Sequence, residues 1–320
     1  MKAMVITKYG GPEVFAEVEF PDPKPGPGQV SIKVSHSAVG LIDAFLRSGT
    51  IPMLQPPFVT GLEVAGIVQE LGEGVTDFRV GESVVTLSLM SMGGYATVTL
   101  ADAALTVSLD GLNVDPAQAV AALPNAVTAY LALTHFAHIR EGENVLIHGA
   151  IGGLASAFPA VARLLGASRI VGSVRTSSKL EAACELAYDD VFVADQFPRA
   201  VGDERFNIVI DPVGGEILTS SFEVMAPFGR ALLVGNAGGQ VANMSNTMLW
   251  GNNLGVLGFS VGPYLQANPS FGRPAAQAVL GLLAEGKLDL PITILPLTEA
   301  SEAHRRMDAK EVIGRIVLQP

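Results

Sequence analysis

The chain has almost no cysteine: Cys184 is the only one among its 320 residues. A single thiol excludes an intrachain disulfide and any zinc site built from several cysteines. Charge is also scarce, because Asp, Glu, Lys and Arg make up only 16% of the chain, with 31 acidic residues against 20 basic ones. The resulting net charge of -11 argues against a nucleic acid or another polyanion as partner.

Apolar runs suited to a membrane are missing as well. Residues 116–139 and 231–272 carry no Asp, Glu, Lys or Arg, but Pro124, Asn125 and two histidines interrupt the first stretch, and glycines and asparagines break the second. The opening MKAMVITKYGG lacks the long apolar core of a secretory signal peptide. We therefore expect a cytoplasmic protein that has no membrane span.

Glycine, proline and apolar side chains are abundant, and their order predicts two kinds of structure. The first hundred residues contain short strand patterns such as VSIKVS, which places Val30, Ile32 and Val34 on one face, and they favour a barrel-like β domain. From about residue 116 strands alternate with helices, which predicts an α/β, doubly wound parallel sheet. The last strand, GRIVLQP, is a candidate to rejoin the N-terminal domain.

A glycine loop follows the predicted strand NVLIHG and opens a predicted helix that begins at Leu154. Glycines stand at 149, 152 and 153, and Ala155 occupies the third position of the dinucleotide-binding pattern, where alanine is accepted. Without side chains, Gly152 and Gly153 let backbone amides, including that of Leu154, approach a pyrophosphate. The alternative is a tight turn without a ligand. Pro159 is expected to kink the helix.

The end of the second strand, RIVGSVRTSSK, indicates which dinucleotide is bound. Ser173 stands where NAD-binding proteins carry a carboxylate, and Arg175 and Lys179 follow. Hydroxyls and two cations suit a 2′-phosphate, so the pattern favours NADPH. A solvated basic turn is the alternative interpretation.

With these features in place, the chain resembles the medium-chain dehydrogenase/reductase superfamily, in particular its zinc-free quinone oxidoreductase (zeta-crystallin-like) branch. The matching stretches include GLEVAGIVQELGEGVTDFRVGESV, LPNAVTAYLAL, LIHGAIGGLA and IDPVGGEIL. The resemblance implies a GroES-like β-barrel catalytic domain over 1–122 and 265–320 and a Rossmann NADPH-binding domain over 123–264. It also implies a cleft between them, a homodimer, and reduction of small quinones or α,β-unsaturated carbonyl compounds.

The resemblance carries the zinc-ligand positions of the alcohol dehydrogenases onto Gly40, Leu62 and Asn125. Glycine and leucine have no ligating side chain and a lone amide is a poor zinc ligand, so we expect no metal. Gly40 and Ile51 replace an asparagine and a tyrosine that are usual in quinone reductases. The pocket is therefore expected to be apolar. Its candidate residues are Gly40, Leu41, Ile51, Met53, Leu62 and Tyr264, with Met90 as a further apolar candidate.

Two polar residues of LPNAVTAY are candidates for catalysis. Asn125 and Thr128 can donate hydrogen bonds to a carbonyl oxygen that gains negative charge when hydride is transferred. Asn125 can equally cap a helix that begins after Pro124, and Thr128 can contact the cofactor instead. The resemblance assigns Gly235, Asn236, Phe259 and Val261 to the nicotinamide side of the cofactor, and tight turns with a core Phe259 are the alternative.

Three functions stay open at this point. The first is an NADPH-dependent quinone or enone reductase. The second is an enoyl-thioester reductase. The third is a non-catalytic, crystallin-like protein that binds NADPH.

Overall fold

The computed structural model describes residues 1–89 and 91–320 and divides into two units. The split unit comprises Met1–Pro124 and Leu265–Pro320, and the central unit comprises Asn125–Tyr264. The domains expected from the sequence are 1–122 with 265–320 and 123–264. Their first boundary, after residue 122, and that of the structure, after Pro124, both lie within the helix Pro116–Leu131.

The strands along the chain are β1 (Lys2–Ile6), β2 (Phe15–Glu19), β3 (Gln29–Ala38), β4 (Phe58–Val59), β5 (Val64–Leu71), β6 (Ser83–Thr86), β7 (Val98–Asp102), β8 (Thr106–Ser108), β9 (Asn144–His148), β10 (Arg169–Val174), β11 (Asp190–Val193), β12 (Phe206–Asp211), β13 (Met225–Leu233), β14 (Gly255–Gly258), β15 (Ile292–Pro296) and β16 (Arg315–Gln319). The α-helices are α1 (Leu41–Ser48), α2 (Pro116–Leu131), α3 (Phe158–Leu164), α4 (Leu180–Cys184), α5 (Gly215–Ser221), α6 (Asn246–Asn252), α7 (Val261–Ala267), α8 (Gly272–Ala284) and α9 (Ala300–Asp308).

The split unit is built on a sheet in the order β15-β16-β3-β5-β6-β8, with β7 also paired to β3, and on a smaller sheet β2-β1-β4. The alternation predicted for β3 is confirmed, because Val30, Ile32 and Val34 are all buried in one apolar cluster. The C-terminal strand β16 pairs antiparallel with β3 through Val317 and Ala38. The end of the chain therefore does rejoin the N-terminal domain.

The central unit holds the predicted doubly wound sheet, with six parallel strands in the order β11-β10-β9-β12-β13-β14. The strand order reverses between β9 and β12, and a sheet of this kind binds its ligand at the carboxyl ends of the strands beside that reversal. Leu146, Val171 and Val209 from three neighbouring strands pack in one core cluster. The α/β fold class is confirmed.

The apolar stretch after residue 116 forms a single helix, α2, which continues through Pro124 and ends in a π-helical turn at Ala132–Phe136. Within the described residues it is long and apolar enough to cross a membrane, but 78% of its most apolar window is buried inside the protein. That burial identifies a core helix. Asn125 lies inside α2, so the hypothesis that it caps a helix beginning after Pro124 is wrong.

The helix after the glycine loop begins later than the sequence suggests. Ala155–Ala157 form a 3₁₀ turn and α3 starts at Phe158, which places Pro159 in the first turn. A first-turn residue has no helical acceptor for its N–H, so proline is tolerated there. The kink expected at Pro159 is therefore wrong.

Candidate functional site

Three loops at the carboxyl ends of β9, β12 and β13 meet beside the reversal of the central sheet. Gly149, after β9, has a φ of +65°, and a Cβ on it would lie 3.5 Å from Cγ2 of Val213 in the loop after β12. Gly214 in that second loop has a φ of +79° and lies against the side chain of Asn236 from the third loop. Positive φ values favour glycine, so Gly149 and Gly214 allow the close approach of the loops.

Asp211 at the end of β12 organises the second loop, and sequence reasoning missed it. Its carboxylate accepts hydrogen bonds from the backbone N–H groups of Val213 at 3.2 Å and Gly214 at 2.9 Å. Burial raises the pKa of Asp211 above its usual value. The stretch IDPVGG was the available signal, because the side chain of an aspartate can hold a turn by accepting hydrogen bonds from backbone N–H groups two and three positions further on.

The glycine loop leads from β9 into the 3₁₀ turn and α3. Gly152 is exposed and its N–H donates to Gly149 O at 2.7 Å, while Ser156 N donates to Gly152 O at 2.9 Å. Gly153 and Leu154 are half-buried, and Ala155 is buried. The loop is thus a tight, internally bonded turn at the start of a helix, as the sequence predicted.

The basic turn beyond β10 brings two cations together. Arg175 is exposed and Lys179 is half-buried. Burial and the positive charge of Arg175 lower the pKa of Lys179. An anion bound at this turn would stabilise both cations, because an opposite charge favours the charged form of each.

Ser173 has a different role from the one expected. It is buried, and its Oγ lies 2.8 Å from Nδ1 of His148, so its hydroxyl does not face an adenosine phosphate. Ser173 is therefore removed from the phosphate site. The side chain of Ser173, at the position where NAD-binding proteins carry a carboxylate, is therefore part of the core beside His148.

His148 lies between two serines. Its Nε2 is 2.8 Å from Ser221 Oγ, and that hydroxyl donates to Ile217 O at 2.7 Å. Ser221 therefore accepts from Nε2–H, and Nδ1 accepts the hydroxyl proton of Ser173. Full burial lowers the pKa of His148 from 6.5 to about 3, so the ring is neutral.

Asn125 contacts the glycine loop. Its Nδ2 donates to Gly153 O at 2.8 Å, and the side chain is largely buried. Thr128 is also buried and lies one helical turn further along the same side of α2. The structure thus places Asn125 at the loop that the sequence assigned to pyrophosphate, in a contact that sequence reasoning did not predict.

The residues assigned to the nicotinamide side follow β13 and β14. Gly235 and Asn236 are exposed, and Val261 begins α7. Phe259 is buried, and its ring centroid lies 4.7 Å from that of Phe136 and 5.6 Å from that of Tyr264. The side chain of Phe259 thus serves the core, which was the alternative interpretation of this residue.

Tyr264, a pocket candidate, joins the same aromatic cluster. Its hydroxyl lies 2.6 Å from Nδ1 of His135 on the π-helical turn. The contact ties the start of α7 to the end of α2.

The other pocket candidates belong to the split unit, where Asp43 holds two of their segments together. Its carboxylate accepts from the N–H of Gly40 at 2.8 Å and of Gly61 at 2.9 Å, and from the hydroxyl of Thr60 at 2.5 Å. Burial raises the pKa of Asp43 to about 6. Gly40 and Leu62, next to Gly61, are therefore brought close to each other.

The remaining candidates lie at the surface of that unit. Leu41 is 40% exposed and Met53 is 67% exposed, while Ile51 is half-buried and donates its N–H to Phe45 O at 3.2 Å. Exposed apolar side chains at the first turn of α1 and in the loop after it are available to contact a ligand. Met90 lies outside the described residues.

Comparisons with known proteins show the family of the chain. Residues 26–111 match the alcohol dehydrogenase GroES-like domain, and residues 180–318 match the zinc-binding dehydrogenase family. A 2-haloacrylate reductase from Burkholderia sp is 33% identical over 99% of this chain and 98% of its own length. The chain belongs to the medium-chain dehydrogenase/reductase superfamily. Within it, a quinone oxidoreductase from Sus scrofa is 32% identical over 99% of this chain and 97% of its own length.

Solved structures of superfamily members agree with the fold. The quinone oxidoreductase of Escherichia coli, in a crystal structure complexed with NADPH, is 26% identical and has a TM-score of 0.90 over 100% of both chains. The predicted resemblance to the quinone oxidoreductase branch is confirmed.

Zinc does not fit this member of the superfamily. The three positions that the resemblance equates with zinc ligands hold Gly40, Leu62 and Asn125, and the amide of Asn125 donates to a backbone carbonyl. In the part of the chain that the structure describes, no group of three or more His, Cys, Asp or Glu side chains is arranged to hold a metal ion. The residues at these positions therefore do not fit a catalytic zinc ion.

Proposed function

We propose that this protein is an NADPH-dependent reductase that transfers hydride to a quinone or to an α,β-unsaturated carbonyl compound without a metal ion. The observation that carries the proposal is the placement of two cations, Arg175 and Lys179, in the turn after β10, the strand that pairs with β9 and its glycine loop. The names of the relatives, quinone oxidoreductase and 2-haloacrylate reductase, support the reaction class.

The residues fit NADPH at two places. Arg175 and Lys179 would hold the 2′-phosphate through charge-assisted hydrogen bonds. The amides at the glycine loop, with Gly152, Gly153 and Leu154, would hold the pyrophosphate at the start of the helical segment. Gly235, Asn236 and Val261, at the carboxyl ends of β13 and β14, are the candidates for the nicotinamide side.

NADPH supplies a hydride when bound. The protein supplies position: a conjugated acceptor needs its β-carbon near the donor and a hydrogen-bond donor near the carbonyl oxygen, where negative charge develops. Thr128, which is buried one helical turn after Asn125 on α2, is the proposed hydrogen-bond donor or cofactor contact. We propose water as the proton source.

The proposal is tested by following NADPH oxidation at 340 nm with 1,4-benzoquinone, a small enone and crotonyl-CoA. We expect turnover with the quinone or the enone, both in the absence and in the presence of a metal chelator. Loss of turnover when the chelator is added would refute the metal-free mechanism. Turnover with crotonyl-CoA alone would instead identify an enoyl-thioester reductase. Intact NADPH binding with no turnover of any acceptor would identify a non-catalytic protein.

A second acceptor class is suggested by the relative at 33% identity, which is named a 2-haloacrylate reductase. A haloacrylate is an alkene conjugated to a carboxylate, and its reduction needs a cation or several N–H groups near that carboxylate. The same assay with 2-chloroacrylate decides between the classes. A value of kcat/KM for chloroacrylate above that for the neutral enone would favour the second class.

We also propose that the protein is a cytoplasmic homodimer. In the part of the chain that the structure describes, strand β14 ends the central sheet, pairs only with β13 and reads GVLG, so its other edge is open and apolar. Pairing with the same strand of a second copy would cover that edge. Light scattering on a size-exclusion column tests this: twice the 33.3 kDa chain mass is expected, and substitution Leu257→Lys should give the monomer.

A further inference from the structure

Two side chains from different elements hold carbonyl groups of the glycine loop. Asn125 Nδ2, on α2, donates to Gly153 O at 2.8 Å. The hydroxyl of Tyr188, in the turn between α4 and β11, donates to Ala150 O at 3.0 Å and lies 3.5 Å from Ala155 O. The loop is therefore fixed near its start and near its end by side chains that are distant in sequence.

A held carbonyl also orients the next amide. In a trans peptide the C=O and the following N–H point in opposite directions. With Gly153 O turned toward Asn125, the N–H of Leu154 points away from that side chain. With Ala150 O turned toward Tyr188, the N–H of Ile151 points away from the phenol. Amide N–H groups fixed before a ligand arrives bind an anion without a further ordering cost.

The surroundings of Tyr188 show that its ring is fitted to this place. A Cβ on Gly172 of β10 would lie 3.0 Å from the Tyr188 ring and 2.9 Å from Ala150 Cβ, so only glycine leaves room for both. The ring belongs to an apolar cluster with Ala150, Ile151 and Val174. Ala150 N donates in turn to Ser173 O at 2.8 Å. The first turn of the loop is thus bonded to β10 on one side and to Tyr188 on the other.

We propose that Asn125 and Tyr188 are positioning residues for the pyrophosphate of the cofactor: they hold the carbonyls of Gly153 and Ala150 so that the glycine loop presents its amides in a fixed orientation. This inference rests on the proposed binding of NADPH. It gives Asn125 a role other than donation to a substrate oxygen.

The test uses ligands that contain different parts of the cofactor. NADPH contains both pyrophosphate and 2′-phosphate, NADH contains only the pyrophosphate, and adenosine 2′-phosphate contains only the 2′-phosphate. Calorimetry measures the Kd of each for the wild type, Tyr188→Phe, Asn125→Leu and the double variant Arg175→Ala/Lys179→Ala. Ser221→Ala is the matched control, because it removes a buried side-chain hydrogen bond in the same unit that does not touch the loop.

We expect Tyr188→Phe and Asn125→Leu each to raise the Kd of NADPH and NADH by the same factor, about tenfold, and to leave the Kd of adenosine 2′-phosphate unchanged. The double variant should raise the Kd of NADPH and of adenosine 2′-phosphate and leave the Kd of NADH unchanged, and Ser221→Ala should lower Tm without changing any Kd. Unchanged NADPH and NADH affinities in both loop variants overturn the inference, as does an equal loss for adenosine 2′-phosphate. Failure of the wild type itself to bind NADPH overturns the proposed function, and the inference falls with it.

Discussion

Lowering the pH from about 7.5 to about 5 is expected to destabilise the central unit through His148. The ring is neutral and fully buried between Ser173 and Ser221, and burial lowers its pKa from 6.5 to about 3. In the unfolded chain the same ring takes up a proton below pH 6.5. Between pH 6.5 and 3 the unfolded state therefore binds more protons, and the free energy of unfolding falls as the pH falls.

The size of the effect follows from the distance between pH 5 and the unfolded pKa. A difference of about 1.5 pH units corresponds to a loss of about 2 kcal/mol from His148 alone. Two groups in the split unit act on the same measurement. Burial lowers the pKa of His304 to about 3, so this residue also lowers the free energy of unfolding as the pH falls. Burial raises the pKa of Asp43 to about 6. The folded form of Asp43 takes up its proton before the unfolded form does, so Asp43 raises the free energy of unfolding over the same pH range.

Urea unfolding followed by circular dichroism measures the effect, with His148→Asn as the comparison. Asparagine cannot titrate, so the drop in unfolding free energy between the two pH values should be smaller in the variant by about 2 kcal/mol. The contributions of His304 and Asp43 are common to both proteins and cancel in the difference. An equal drop in wild type and variant would refute the assignment of a neutral, buried His148.

Two further predictions concern the cofactor and the helix start. Arg175→Ala/Lys179→Ala should weaken NADPH binding by about a hundredfold while sparing NADH, because it removes two charge-assisted contacts to the 2′-phosphate; equal losses for the two cofactors in fluorescence titrations would contradict the basic site. Pro159→Ala should change the free energy of unfolding by less than about 1 kcal/mol, because a first-turn residue has no helical hydrogen bond to gain. A stabilisation of about 3 kcal/mol in urea unfolding would contradict this and indicate that Pro159 kinks the helix.

Local patterns were enough to predict the elements and their layers. The period-two alternation of Val30, Ile32 and Val34 predicted β3, and alternating strands and helices predicted the parallel sheet with its glycine loop at the carboxyl end of β9. These signals are carried by neighbouring residues, so they can be read without the fold. The family resemblance, carried by motifs along the whole chain, then supplied the reaction class.

The side-chain contacts of the site could not be predicted in the same way. The inward direction of Ser173 depends on the register of β10 beside His148, and the bond from Asn125 to Gly153 joins residues 28 positions apart. Tyr188 gave no signal at all, because its partner Ala150 lies 38 positions earlier and only the folded sheet brings them together. Pro159 was misjudged because the helix was expected from Leu154 and begins at Phe158, and this shift of four residues changes an interior position into a first-turn position.

Isothermal titration calorimetry of the purified wild-type protein with NADPH and NADH is the most direct test of an NADPH-dependent enzyme. We expect heat of binding for NADPH and a Kd about a hundredfold lower than that for NADH, because two cations contact the 2′-phosphate. No heat with NADPH, or equal affinity for the two cofactors, would contradict this expectation.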